Sequence, residues 1–240
     1  MQTRARPATQ ARRRALALYR WRAPLYDVEL APFEPLRRRA IAALRLVPGD
    51  RVLDLGCGTG LSVPLLARAV GPQGRVIGVE QSAPMIERAR HRPHGRTPVR
   101  LVNAPVESAD LDGESDAALF HFVHDIVGSP AALAHVMAHL RPGARVVAVG
   151  LCWAAPWAWP LNVYVALAAW YSLERYEDLA APWAPLVAWL DHWHLEPLLG
   201  GAAYLASGTT RKPPAQGCMA PAGGRDPPAG RPGGRRRAPS

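Results

Sequence analysis

The sequence predicts an α/β fold, a doubly wound and mostly parallel sheet of seven strands that ends in an antiparallel hairpin. Three observations carry that prediction. From Arg51 onward short apolar runs alternate with segments of helical periodicity, the first run ends in the glycine-rich turn "GCGTG", and the last runs flank a Gly-Gly turn. Apolar strands with little internal alternation belong in a parallel sheet covered on both faces. At 240 residues and 49% hydrophobic, the chain can fill one good-sized core and leave tails over.

Two helices precede the sheet, Ala11 to Trp21 and Phe33 to Leu46, separated by the proline-marked "APLYDVELAP". In the second, Phe33, Leu36, Ala40, Ala43 and Leu44 recur at helical spacing, Arg37 to Arg39 fall mostly on the other face, and Pro48-Gly49 stops the pattern. Strand one is Arg51–Leu55. A helix follows over Ser62–Val70, with Pro64 tolerable in its first turn. Strand two is Arg75–Val79, and Ser82 reads as the N-cap of a helix to about Arg90. Strands three to five are Val99–Val102, Ala117–Phe120 and Arg145–Val149, with a helix from about Ala131 to Leu140 stopped by Pro142-Gly143. Trp193–Leu199, the turn Gly200-Gly201 and Ala202–Ser207 make the closing hairpin. Strand–helix alternation of this kind makes the plan Rossmann-like. Three parts result: an N-terminal helical lid or cap segment over 1–46, a ligand-binding domain over 47–208, and a tail over 209–240. That tail holds seven prolines and six glycines and is expected to be disordered.

The formal charge of +10 belongs to the ends. Met1 to Arg22 contributes +7 and Thr209 to Ser240 contributes +6, which leaves about −3 between them. Of 29 basic residues only Lys212 is lysine, a bias that reads as a GC-rich genome rather than as selection for phosphate contacts. No specific nucleic-acid partner is expected, and peripheral contact of the tails with a membrane stays open. Cys57, Cys152 and Cys218 are odd in number and scattered, so neither a disulfide framework nor a metal site is expected. A cytoplasmic protein fits, since no secretory signal is visible.

The glycine loop is not a phosphate loop. Walker A would need Gly-Lys-Ser/Thr, and a dinucleotide fingerprint would need G-x-G-x-x-G. Here Gly56, Gly58 and Gly60 alternate, with Asp54 two residues ahead of the first. A carboxylate there repels a pyrophosphate and attracts a ligand that carries an ammonium and a sulfonium, as S-adenosyl-L-methionine does. Glu80, just past strand two, can accept both ribose hydroxyls, a contact that NAD enzymes share.

"VLDLGCGTGLSVPLLA", "GRVIGVEQSAPMIERAR", "SDAALFHFVHDI" and "HLRPGARVVAVG" together resemble successive motifs of the class I S-adenosylmethionine-dependent methyltransferases, quinone and phospholipid methyltransferase-like members above all. The resemblance covers about Leu44 to Gly150 and, in outline, the hairpin. It assigns Gly56, Cys57, Gly58 and Gly60 to the loop around the methionine moiety, Asp54 to the cofactor's amino end or the loop's geometry, and Glu80 to the ribose. Gln81 or Met85 then lies near the adenine. Many relatives carry an aspartate after strand three, where this chain has Pro105, so backbone groups or Glu107 would hold the adenine.

Methyl transfer needs an acceptor held in line with the methyl and, for some acceptors, a base. The loop "FHFVHDIVGSP" offers His121, His124 and Asp125, readable as a base with its orienting partner, or as a packed histidine and a helix cap. Tyr26, with Tyr19 and Trp21, sits where such enzymes carry a lid; packing of the N-terminal helices is the other reading. Val146 to Tyr171 is uncharged over 26 residues and holds four tryptophans and two tyrosines. Pro156 and Pro160 argue against a membrane span, so Trp153 to Trp159 read as an apolar loop at the substrate mouth and Asn162 to Leu173 as a helix. The expected function is methyl transfer to a small hydrophobic molecule, a quinone, lipid or similar. A non-catalytic binding protein on the same fold is the alternative, and an NAD-dependent oxidoreductase is disfavoured by Asp54 and the loop spacing. The oligomeric state is not legible.

Overall fold

The computed structural model describes residues 27, 30–169 and 179–211. Tyr19, Trp21, Tyr26, the first predicted helix and the tail from Lys212 lie outside those residues. Seven strands form one sheet in the order β3-β2-β1-β4-β5-β7-β6. They are β1 Arg51–Leu55, β2 Arg75–Val79, β3 Val99–Val102, β4 Ser115–His121, β5 Leu140–Leu151, β6 Leu190–Leu198 and β7 Ala203–Thr210. β1 to β5 pair in parallel, and β7 inserts antiparallel between β5 and β6. The chain turns back across the sheet between β1 and β4, and the carboxyl ends of those two strands border the crevice where ligands bind in such sheets.

Helices cover both faces: α1 Glu34–Ala43, α2 Val63–Val70, α3 Ala83–Arg90, α4 His124–Val127, α5 Pro130–Ala138, α6 Trp159–Ala169 and α7 Ala184–Val187. Because strand side chains alternate, each strand feeds two cores. Val52, Val76, Leu119 and Val147 pack with Leu36, Ala40, Leu44, Leu66 and Val70 on one face. Leu53, Leu55, Ile77, Phe120 and Val146 pack with Val106, Leu133 and Val136 on the other. Burial on both sides is the physical reason the strands read as near-continuous apolar runs. A side chain such as Leu44 or Leu53, fully buried, contributes roughly 1.5–3 kcal/mol.

The structure moves several boundaries. The helix predicted over Phe33 to Leu46 is a 3-10 turn, Ala31–Phe33, followed by α1. Its residues Leu36, Ala40, Ile41 and Leu44 belong to the core, so a cut at residue 46 would divide one packed unit. Ser82 stands at the N-cap of α3, yet its side chain makes no cap bond and its Oγ is buried without a partner among the described residues. The helix predicted to begin at Asn162 begins at Trp159, with Pro160 at its first turn, and its predicted end at Leu173 falls outside the described residues. Asn162 fixes the preceding loop: it accepts from the Ala154 N–H at 2.8 Å and donates to the Ala154 carbonyl at 3.2 Å.

The hairpin is longer than predicted, because β7 continues to Thr210. The Thr210 hydroxyl accepts from the Ala144 N–H at 3.0 Å and donates to the Arg141 carbonyl at 2.7 Å. These bonds tie the end of β7 to β5 and carry the sheet past Gly208.

Candidate cofactor-binding site

Alternation along β1 sends Asp54 to the same face as Val52, the face that α1 covers. Asp54 is 1% exposed, and its Oδ2 has no hydrogen-bond partner among the described residues. Burial pushes its carboxyl from the usual range up to about 7, an upward push that the Arg37 guanidinium eases and the Glu80 carboxylate reinforces. Buried carboxylate oxygens are seldom left without a donor. This one faces a cleft lined by Arg37, Gly56, Cys57, Gly58, Thr59 and His121, among others. The cleft leaves about 30 Å³ for water-sized molecules, room for about two waters.

Arg37 is the residue that sequence reading misplaced. Placed with the solvent face of its helix, it is instead 2% exposed, paired with Glu34 and turned into the cleft. The signal was present, since Arg37 stands four residues before Ile41 and seven before Leu44, on the buried stripe.

All three loop glycines take left-handed backbone, φ 66 at Gly56, 56 at Gly58 and 75 at Gly60. A side chain on Gly56 would overlap Val123 Cγ1, and one on Gly60 would come within 2.8 Å of Ala89 Cβ in α3. The loop therefore needs glycine at these places for its own conformation and packing, before any ligand is considered. Gly60 itself packs against α3. The thiol of Cys57, raised well above its ordinary range by burial and by Asp54 and Glu80, stays protonated.

Glu80 closes the other side. Its carboxylate accepts from the Gly58 N–H at 3.1 Å and the Ser82 N–H at 2.7 Å, while burial raises its pKa against those two donors. Asn103, which the sequence did not single out, donates to the Glu80 carbonyl at 2.8 Å and fixes the strand end. Gln81 is half-buried beside it, Met85 is buried in α3, Pro105 precedes the 3-10 turn Val106–Ser108, and Glu107 is exposed on that turn. These four stand on the β2 and β3 side, apart from the lining of the Asp54 cleft.

The two histidines after β4 separate. His121 lines the cleft; its Nε2 is buried without a partner among the described residues, and burial with Arg37 pushes its pKa down to about 3. It is a neutral imidazole at physiological pH. Phe122 follows in left-handed backbone, φ 58, with its N–H on the Val149 carbonyl at 2.7 Å, a strained residue at the cleft's edge. His124 turns the other way. Its Nε2 donates to the Leu151 carbonyl at 2.8 Å, its ring lies edge-on to Tyr204, and burial lowers its pKa. Asp125 is exposed in α4 and raises the His124 pKa only as a nearby charge. His124 Nε2 is engaged by the Leu151 carbonyl, and the N-cap of α4 is Val123 with no side-chain cap bond, so the expected cap by His124 and Asp125 is not formed. Among the described residues no group of three His, Cys, Asp or Glu side chains could hold a metal ion.

Residues 52–143 match the family described as "Methyltransferase domain". Over those residues the chain is similar to methyltransferase domains. It is 43% identical over 107 residues to an uncharacterized 37.1 kDa protein in transposon TN4556 of Streptomyces fradiae, covering 44% of this chain and 31% of that protein. It is 32% identical over 133 residues to the 2-phytyl-1,4-naphtoquinone methyltransferase of Synechococcus elongatus, covering 51% of this chain and 57% of that enzyme. The SAM-dependent O-methyltransferase of Thermotoga maritima superposes with a TM-score of 0.53 at 15% identity, over 75% of this chain and 66% of that one, a likeness of fold. The chain spans about half the length of the curated quinone methyltransferases it matches.

Proposed function

We propose that the protein transfers a methyl group from S-adenosyl-L-methionine to a small hydrophobic acceptor such as a quinone or lipid. The observation that carries this reading is the unpartnered Asp54 oxygen, buried at the end of β1 and facing a cleft with Arg37 on its wall. Asp54 suits the ammonium of a methionine moiety and Arg37 its carboxylate. The Glu80 carboxylate has about four acceptor positions; the Gly58 and Ser82 N–H groups take two and the Gln81 N–H also bears on it, and ribose hydroxyls would take up what remains. When bound, the cofactor supplies an electrophilic methyl on a sulfonium. The chain's part is then to bind, orient and keep water out, which suffices for so reactive a methyl. The Synechococcus relative is named for a phytyl naphthoquinone, and the uncharged stretch after β5 suits an apolar acceptor at the same end of the sheet.

Calorimetry with S-adenosylhomocysteine and NAD tests the cofactor site. S-adenosylhomocysteine should bind and NAD should not, and Glu80→Ala should weaken binding by about 1.5–3 kcal/mol, the worth of a hydrogen bond to a charged group. NAD binding without a response to S-adenosylhomocysteine would overturn the reading. Transfer of labelled methyl to a panel of quinols, phenols and aminophospholipids then identifies the acceptor.

His124→Ala is expected to cost about 1–3 kcal/mol in urea denaturation, because the Leu151 carbonyl loses its buried donor. Affinity for S-adenosylhomocysteine should not change. Unaltered stability together with a 10²–10⁴-fold fall in turnover would restore the general-base role.

A further inference from the structure

The stretch after β5 ends in a surface that the described residues leave uncovered. Trp157 is 82% exposed and Trp159 67%, and along α6 the exposed positions continue through Val163, Tyr164 and Leu167. Trp159, Val163 and Leu167 are four residues apart, so they form one stripe on the outward side of the helix, while Val165 on the inward side is fully buried. Leu199, 47% exposed at the hairpin turn, borders the stripe: Leu161 lies 3.1 Å from the place a side chain on Gly200 would take. The outward side of a surface helix is ordinarily polar. Here no charged residue occurs between Val146 and Leu173. A contiguous apolar surface of this kind marks a contact with another body.

We propose that this face docks onto an anionic lipid bilayer. Its composition is that of a headgroup-level surface, with two tryptophans and a tyrosine, whose rings are amphipathic, beside aliphatic side chains. Charge decides between a bilayer and a second copy of the chain. The sequence carries +7 in its first 22 residues and +6 from Thr209 onward, against about −3 between them. Those ends repel their counterparts on another copy and are drawn to an anionic surface. The docked face also stands at the carboxyl end of β5, the same end of the parallel strands as the Asp54 loop and His121. Resting on the functional reading above, this would let an apolar acceptor pass from the lipid to the cleft without crossing water. No helix among the described residues is long and apolar enough to span a membrane, so contact is at the surface.

The test is co-sedimentation of the full chain with vesicles of phosphatidylglycerol and phosphatidylcholine, and with phosphatidylcholine alone. The chain should partition to the mixed vesicles, and brominated phosphatidylcholine should quench its tryptophan fluorescence. Trp157→Ala/Trp159→Ala should lower that partitioning about tenfold or more, and so should Val163→Glu, which charges the stripe without removing a tryptophan. Partitioning that neither variant changes would mean that the basic ends alone bind lipid, and the proposal fails. It also fails if no vesicle binding occurs and sedimentation velocity shows a dimer that both variants dissociate, since the face would then pair two copies. Binding of S-adenosylhomocysteine, followed by calorimetry in the same variants, should stay unchanged. Its loss in the unsubstituted chain would overturn the methyltransferase reading and leave the docking face standing.

Discussion

Replacing Asp54 by asparagine should yield a protein that is more stable at pH 8 and that binds its cofactor poorly. The Asp54 carboxyl titrates near 3.8 in an unfolded chain and at about 7 in the folded one, because burial penalises its charge. Between those values the unfolded state gives up the proton and the folded state keeps it, so stability falls as pH rises through that window and levels off above about 7. The full window amounts to about 4 kcal/mol at 1.36 kcal/mol per unit. Asparagine has no charge to desolvate and keeps the shape, while Arg37 retains Glu34 as its partner. The gain at pH 8 should therefore be about 2–4 kcal/mol and should vanish near pH 4, which urea denaturation at several pH values would show. Affinity should move the opposite way, down about 10- to 100-fold, the worth of a hydrogen bond to a charged group. In the unsubstituted protein the affinity for S-adenosylhomocysteine should fall about tenfold per unit as pH drops below about 7, and in Asp54→Asn it should be flat over that range. A variant less stable than the parent at pH 8 would show that the carboxylate has a stabilising partner and would remove the main support for a ligand there.

The same residue shows what a sequence discloses and what it withholds. Strand one was legible from "RVLDL" because its periodicity is local, and the aspartate at its end could be matched to a cationic ligand by chemistry alone. The cation whose charge acts on it was not legible. Arg37 sits in a helix whose neighbouring arginines, Arg38 and Arg39, are exposed, and only the packing of α1 across β4 and β5 turns one of the three inward. His121 and His124 illustrate the same limit. His121 ends β4 and His124 comes three residues later, but the left-handed turn at Phe122 sends one ring into the cleft and the other to the Leu151 carbonyl, and no spacing rule announces that turn. The glycines were legible for a reason only partly right. Close approach was inferred, but at Gly56 and Gly60 the approaching groups are Val123 and Ala89 of the chain itself. The uncharged stretch after β5 was readable as apolar, whereas its division into a buried strand and an outward-facing aromatic stripe depends on where the sheet ends.

Gly56→Ala should destabilise the fold by about 2–4 kcal/mol, and a second substitution can apportion the cause. Two costs act at this position. The backbone has φ 66, where a residue with a Cβ costs roughly 1–2 kcal/mol more than glycine. The new methyl would also overlap Val123 Cγ1 and touch Ile126 Cδ1 at 3.0 Å, an overpacking worth about 1–3 kcal/mol. Val123→Ala removes the overlapping atom and leaves Val123 Cβ at 3.5 Å, an ordinary contact. In a double-mutant cycle read by urea denaturation, Gly56→Ala should therefore cost about 1–3 kcal/mol less on the Val123→Ala background than alone. What remains is the backbone cost, which no neighbour can relieve. A coupling of zero would assign the whole effect to the left-handed conformation and make the Val123 contact irrelevant. If Gly56→Ala kept its stability and lost only its affinity for S-adenosylhomocysteine, the glycine would serve the ligand alone, and the loop's own packing would not require it.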